Sequence, residues 1–101
     1  MGSQLHYLET QIPESLREAT LLPYAQYWAW LLSGVPGSEV TSLGCHSDLW
    51  SPAAGDYSPM AKRRGWAGQF APMAKAGEVV GTLLPELAAQ TGLSSTVRIH
   101  A

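Results

Sequence analysis

Apolar residues fall into a helical period most clearly between Tyr24 and Leu32. Tyr24, Trp28 and Leu31 lie at i, i+4 and i+7, and Tyr27, Trp30 and Leu32 fill much of the remaining circumference. The stretch "LLPYAQYWAWLLSG" therefore predicts a helix, with Pro23 at its start and Gly34 in the left-handed position just past its end. A helix apolar nearly all round is expected to be buried. Trp28 and Trp30 are accordingly expected in a core rather than as stacking platforms for sugars. Covering such a helix on every side is hard for 101 residues. Part of helix 23–32 is therefore expected to meet solvent or a second copy, and self-association through it is an expected property.

The rest of the chain is punctuated by glycine and proline. "LHYLETQIPESLREAT" is mixed, with a short helical turn predicted over Pro13 to Ala19, and the opening "MGS" reads as carrying no fold information. Val40 to Trp50 is open between a strand and a helical turn running into a strand, with His46 to Trp50 expected to be extended. "SPAAGDYSP" is a turn, and "SPMAKRRG" a short helix with Ser58 as cap, Pro59 first and Gly65 last. "WAGQFAPMAKA" reads as irregular connection and "GEVVG" as a short extended piece. "PELAAQTG" predicts a two-turn helix between Pro85 and Gly92, and "TVRIHA" a strand with Val97 and Ile99 on one face. Gly77 and Gly81 are spaced for a turn and a close backbone approach. The expected class is α/β, helix-rich with a few short strands, or α+β where the piece stands alone.

Composition narrows the function classes. Charged residues make up only 14% and apolar residues 46%, against about 25% charged in ordinary soluble domains. The net charge of −2 gives no electrostatic case for nucleic acid or an anionic membrane. Lys62-Arg63-Arg64 is the one basic cluster, and it falls where cations suit the negative end of a helix. The longest apolar run, Leu21 to Leu32, is roughly half of the ~20 residues that a membrane span requires. Cys45 is the single cysteine, which excludes an internal disulfide and any multi-cysteine zinc site and favours a cytoplasmic setting.

The candidate chemistry is sparse. His46 and Asp48 are two apart, so in a strand they share a face, where they form an oriented base pair or, with Cys45, part of a metal site. No third and fourth ligand stands at helpful spacing, Cys45 would face away from His46, and no cationic flank activates it as a nucleophile. A structural role for the pair is the preferred reading, with no metal site. G-x-S-x-G, G-x-x-x-x-G-K-[ST] and G-x-G-x-x-G are all absent. Residue by residue, the chain holds no complete active site.

The order of its pieces nevertheless resembles the FGGY family of carbohydrate kinases. "LPYAQYWAWLLSG" (Leu22 to Gly34) is similar to that family's lP-x-Y-x-x-Y-x-x-x-x-L-[ST]-G helix, and "SEVTSLGCHSDLW" (Ser38 to Trp50) to its T-E/D-V-[ST] segment. "GDYS" at Gly55 to Ser58 matches a G-D-W-S turn followed by a short helix. "GEVVGTLLPELAAQTGL" matches G-x-V-x-G-x-L-[TS]-P-E-x-A-x-x-[TL]-G-L. The resemblance covers about residues 20 to 101. It implies that 1–101 is an interior fragment of the first, ribonuclease-H-like or actin-like domain. The parent would phosphorylate a sugar or polyol hydroxyl with ATP and Mg2+. The resemblance places the catalytic base just beyond Ala101, after the strand that "TVRIHA" matches. It assigns no catalytic role to Asp48 or Asp56, and implies no cofactor-binding or metal residue in this chain, which alone is expected to be inactive. The alternative is a stand-alone, non-enzymatic helical module that binds a partner through exposed aromatics.

Overall fold

The structure, a computed structural model, describes residues 1–45 and 47–101. In chain order its elements are α1 (Gly2–Gln11), α2 (Pro13–Glu18), α3 (Tyr24–Ser33), β1 (Ser38–Glu39), α4 (Val40–Gly44), β2 (Trp50–Ser51) and β3 (Asp56–Tyr57). Then come α5 (Pro59–Arg63), a 3₁₀ turn (Trp66–Gln69), β4 (Met73–Ala74), β5 (Val79–Thr82), α6 (Pro85–Thr91) and β6 (Arg98–His100). This is the mixed class expected, with the strands paired only two by two: β1 parallel to β4, β2 antiparallel to β3, β5 antiparallel to β6. The chain forms two compact units.

The first unit comprises Met1–Leu21 and Leu43–Phe70. Its core gathers Leu5, Leu16, Leu21, Leu43, Leu49, Ala61, Trp66 and Phe70. Trp66 is 2% exposed and is the largest of the fully buried side chains. Burying each leucine of this set contributes roughly 1.5–3 kcal/mol. Tyr57 bridges Trp50 and Phe70, with ring centroids at 5.3 and 5.7 Å, so the β2–β3 hairpin is tied to the core by aromatic contact as well as by its ladder. The side chain of Gln69 reaches the end of α2, donating from Nε2 to the carbonyls of Leu16 (2.5 Å) and Arg17 (3.1 Å). The Leu16 carbonyl also accepts the Ala19 N–H at 3.2 Å, and the Arg17 carbonyl is one that a helix end otherwise leaves to water.

Two expectations fail in this unit. Residues 2–11 form a helix, although their sequence lacks a strong apolar stripe. The opening "MGS" is also structural. Gly2 is buried, its N–H donates to the Ser47 carbonyl at 3.1 Å, and a Cβ there would stand 2.8 Å from that oxygen. Only glycine permits so close an approach. By contrast, α5 forms as read: Ser58 Oγ accepts from the Ala61 N–H at 3.2 Å, Pro59 opens the helix and Gly65 follows its end at φ 78°.

The second unit comprises Leu22–Ser42 and Ala71–Ala101. Here α3 packs on β5 and β6, and Gly81 makes the approach possible: a Cβ there would lie 3.0 Å from Ser33 Cβ and 3.3 Å from Val35 Cγ2. Gly81 thus has the close-approach role expected of it. Gly34 and Gly92, both at φ 75°, end α3 and α6 as read. The irregular connection after Trp66 contains the 3₁₀ turn and β4, whose backbone is paired with β1.

Helix α3 is exposed over much of its circumference, as expected of helix 23–32, but the core placement expected of Trp28 and Trp30 fails. The residues that α3 buries are Gln26, Ala29 and Ser33, the last of them against Gly81 of β5, while Tyr24 is 77% exposed and Trp28 47%. Tyr27, Trp30, Leu31 and Leu32 are exposed as well. Small residues are what the Gly81 contact admits, so the large side chains point away from it. Trp28 and Trp30 are therefore not core residues of this chain.

Candidate functional site

Asp48 does not lie in a strand. The only extended pair in that region is Trp50–Ser51, and Asp48 sits in a bend at φ 58°, a conformation that aspartate tolerates better than most residues. The shared-face argument for His46 and Asp48 therefore loses its geometric basis. His46 itself lies outside the described residues. The Asp48 carbonyl accepts from Ser58 Oγ at 2.7 Å, which ties the bend to the start of α5.

The structure places Asp48 beside a different histidine. An open groove of about 390 Å³ in the first unit is lined by His6, Asp48, Met60, Arg64 and Trp66 together with Gly2 and Ser3. Glu9 organises its cationic side. Arg64 Nη1 donates to Glu9 Oε2 at 2.6 Å, and His6 Nδ1 stands 4.0 Å from the same oxygen. The Arg64 guanidinium also lies 5.6 Å from the centre of the Trp66 ring. His6 and Glu9 are three apart on α1, a helical neighbour pair. They go unnoticed in the sequence because α1 itself does. The Glu9–Arg64 contact spans 55 positions and has no sequence signal.

The remaining carboxylates near the motifs serve the backbone. Glu39 is 6% exposed and stands immediately before α4. Its carboxylate accepts from the Thr41 N–H at 2.9 Å, the Ser42 N–H at 3.2 Å and the Thr41 hydroxyl. Burial pushes the Glu39 carboxyl up, and the hydrogen bonds from Thr41, Ser42 and Val40 more than offset it, so its pKa is lowered. Asp56 is ion-paired with Lys62 and accepts from the Tyr57 N–H at 2.7 Å. The bond from Lys62, followed by that from Tyr57, holds the Asp56 carboxyl below its ordinary value. Lys62 thus lies in the last turn of α5, as read, and also pins the hairpin. Burial raises the Tyr57 hydroxyl's pKa, with Asp56 adding to the effect.

Cys45 is exposed. Among the described residues no three of His, Cys, Asp and Glu converge as metal ligands, and no helix is long and apolar enough to cross a membrane. The sequence carries no G-x-x-x-x-G-K-[ST] loop of the kind that cradles phosphates. The described side chains cap helices, pair across the hairpin and line shallow open grooves. They do not place a nucleophile against a base.

No protein-family model and no curated protein matches the chain. Among solved structures, it is similar to the crystal structure of a carbohydrate kinase from Novosphingobium aromaticivorans, with 60% sequence identity and a TM-score of 0.94. The match covers 97% of this chain and 21% of that one. The chain therefore spans about a fifth of the kinase's length. Over that span, its likeness to a carbohydrate kinase is one of sequence and backbone together.

Proposed function

We propose that this chain is the scaffold portion of an ATP-dependent kinase of the FGGY type. It would form an interior stretch of a first, actin-like domain in a cytoplasmic enzyme that phosphorylates a sugar or polyol hydroxyl. The observation that carries the reading is 60% identity over 97% of the chain to a carbohydrate kinase. Phosphoryl transfer depends on positioned phosphates, a metal and a base that receives the hydroxyl proton. In this reading ATP, Mg2+ and the base are held by other parts of such a kinase. The contribution of this stretch is to hold strands and helices in register around them.

The test is a graft. The 101 residues replace the matched stretch of the Novosphingobium kinase, and ATP consumption is followed with glycerol, pentuloses and hexuloses. Activity within about tenfold of the unaltered kinase is expected, a loss of no more than ~1.4 kcal/mol of transition-state stabilisation. A soluble but inactive graft would refute the reading. The isolated chain should show no turnover above a buffer blank. A second reading, a non-enzymatic module that binds a partner through α3, is favoured by one observation: the exposure of that helix's aromatics. It predicts a compact monomer in sedimentation whose binding of a dye for exposed apolar surface is lost when its partner is added.

A further inference from the structure

We infer that the outward face of α3 is a docking surface for the remainder of a carbohydrate kinase chain, packed against the helix from two sides. The inference rests on the kinase reading for the identity of the occupant and on α3 itself for the existence of the surface. At 100° per residue, Gln26, Ala29 and Ser33 span a narrow buried arc. Trp30, Tyr27, Leu31, Tyr24, Trp28 and Leu32 follow one another round an exposed arc of about 200°. No residue in "YAQYWAWLLS" is charged. A face meant for water normally carries charge, and depletion of charge with enrichment in tyrosine and tryptophan is the composition of an interface core.

Magnitudes choose the occupant. With side-chain areas of about 150–250 Å², the four aromatics alone expose on the order of 400 Å². That equals the largest apolar patch usual on a whole monomer, before the two leucines are added. A second copy laid helix on helix would cover one stripe of about 100° and leave the other half of the arc wet. It would also reach only about half of the ~800 Å² per partner that a standard interface buries. Two flanking elements are required. A chain that matches this one over 97% of its length and extends to almost five times that length has the mass to provide them.

Thiol labelling tests this in the full 101-residue chain and in the graft. With Cys45→Ser removing the native thiol, Tyr24→Cys and Trp28→Cys are introduced separately at positions already open to solvent. Maleimide labelling of both should be at least about tenfold slower in the graft than in the free chain, the ratio that ~1.4 kcal/mol of protection gives. Equal rates in an active graft would overturn the docking surface and leave the kinase reading intact. Protection in an inactive graft would do the opposite. A free chain that sediments as a dimer, with labelling that slows as concentration rises, would show that a second copy is the occupant and overturn the proposal.

Discussion

Replacing Glu39 should reveal how much of this scaffold hangs on a single side chain. The carboxylate is buried and accepts three hydrogen bonds, two of them from the N–H groups of Thr41 and Ser42 at the start of α4. Glu39→Ala removes all three. Loss of a helix cap costs about 0.5–2 kcal/mol, and a buried donor left unpaired costs about 1–3 kcal/mol. The Thr41 and Ser42 donors are only part-buried, so water repairs some of the damage. The net expectation is about 2–3 kcal/mol, and about 1 kcal/mol for Glu39→Gln, which keeps one acceptor oxygen. Urea unfolding followed by far-UV circular dichroism would show the alanine midpoint falling by roughly 1 M, given slopes of about 1–3 kcal/mol/M. The pH dependence has a definite sign. Because the folded-state pKa is lowered, the carboxylate's contribution is complete above the unfolded value of about 4.3 and is lost as pH falls through the folded value. The gap between wild type and Glu39→Gln should therefore be constant at neutral pH and shrink below about pH 4. An alanine variant within about 0.5 kcal/mol of wild type, or a gap unchanged by acid, would refute the argument.

Three further outcomes are expected. Trp66→Ala, which empties the largest fully buried site, should cost about 3–5 kcal/mol in the same urea titration, and a loss under ~1 kcal/mol would mean that the first unit can collapse around the space. Gly92→Ala has open space around the new methyl group but a φ of 75°, so it should lower stability by about 1–2 kcal/mol through backbone strain alone, with Gly92→Asn milder; an unchanged melting point would contradict this. Zinc or nickel should leave the melting temperature where it is, since binding at 100 times Kd would add about 2.7 kcal/mol; a rise that His46→Ala abolishes would establish the metal site that the spacing of His46 and Asp48 only suggests.

The elements legible in the sequence are those whose ends are written in proline, serine and glycine. α3, α5 and α6 each have proline at or just before the first helical residue and a left-handed glycine at or just after the end, and all three occur within a residue or two of their expected limits. α1 has neither signal. It is held by the Gly2 N–H on Ser47, by Leu5 in the core and by Glu9 on Arg64, the last contact spanning 55 positions. The direction in which α3 faces was equally hidden. Its apolar content says that the helix must be covered, but which arc meets β5 is decided by a steric fact, the missing Cβ of Gly81 against Ser33.

The same division explains why the candidate site was read poorly. Two-residue spacing has chemical meaning only in a strand, and the bend at Asp48 removes that condition. The fold instead brings Asp48 to the same groove as His6 and Arg64, which no local rule could select. The structure spends its charge on folding, and of these uses the sequence shows the helix-end place of Lys62. Glu39 caps α4, Glu86 lies in the first turn of α6, and Lys62 closes α5 onto Asp56. In a chain with only 14% charged residues, committing these groups to helix ends and a hairpin leaves few for chemistry. The proposed scaffold role accords with that distribution: polar groups fix the chain's own backbone, and the aromatics of α3 are turned outward, where other parts of a kinase would meet them.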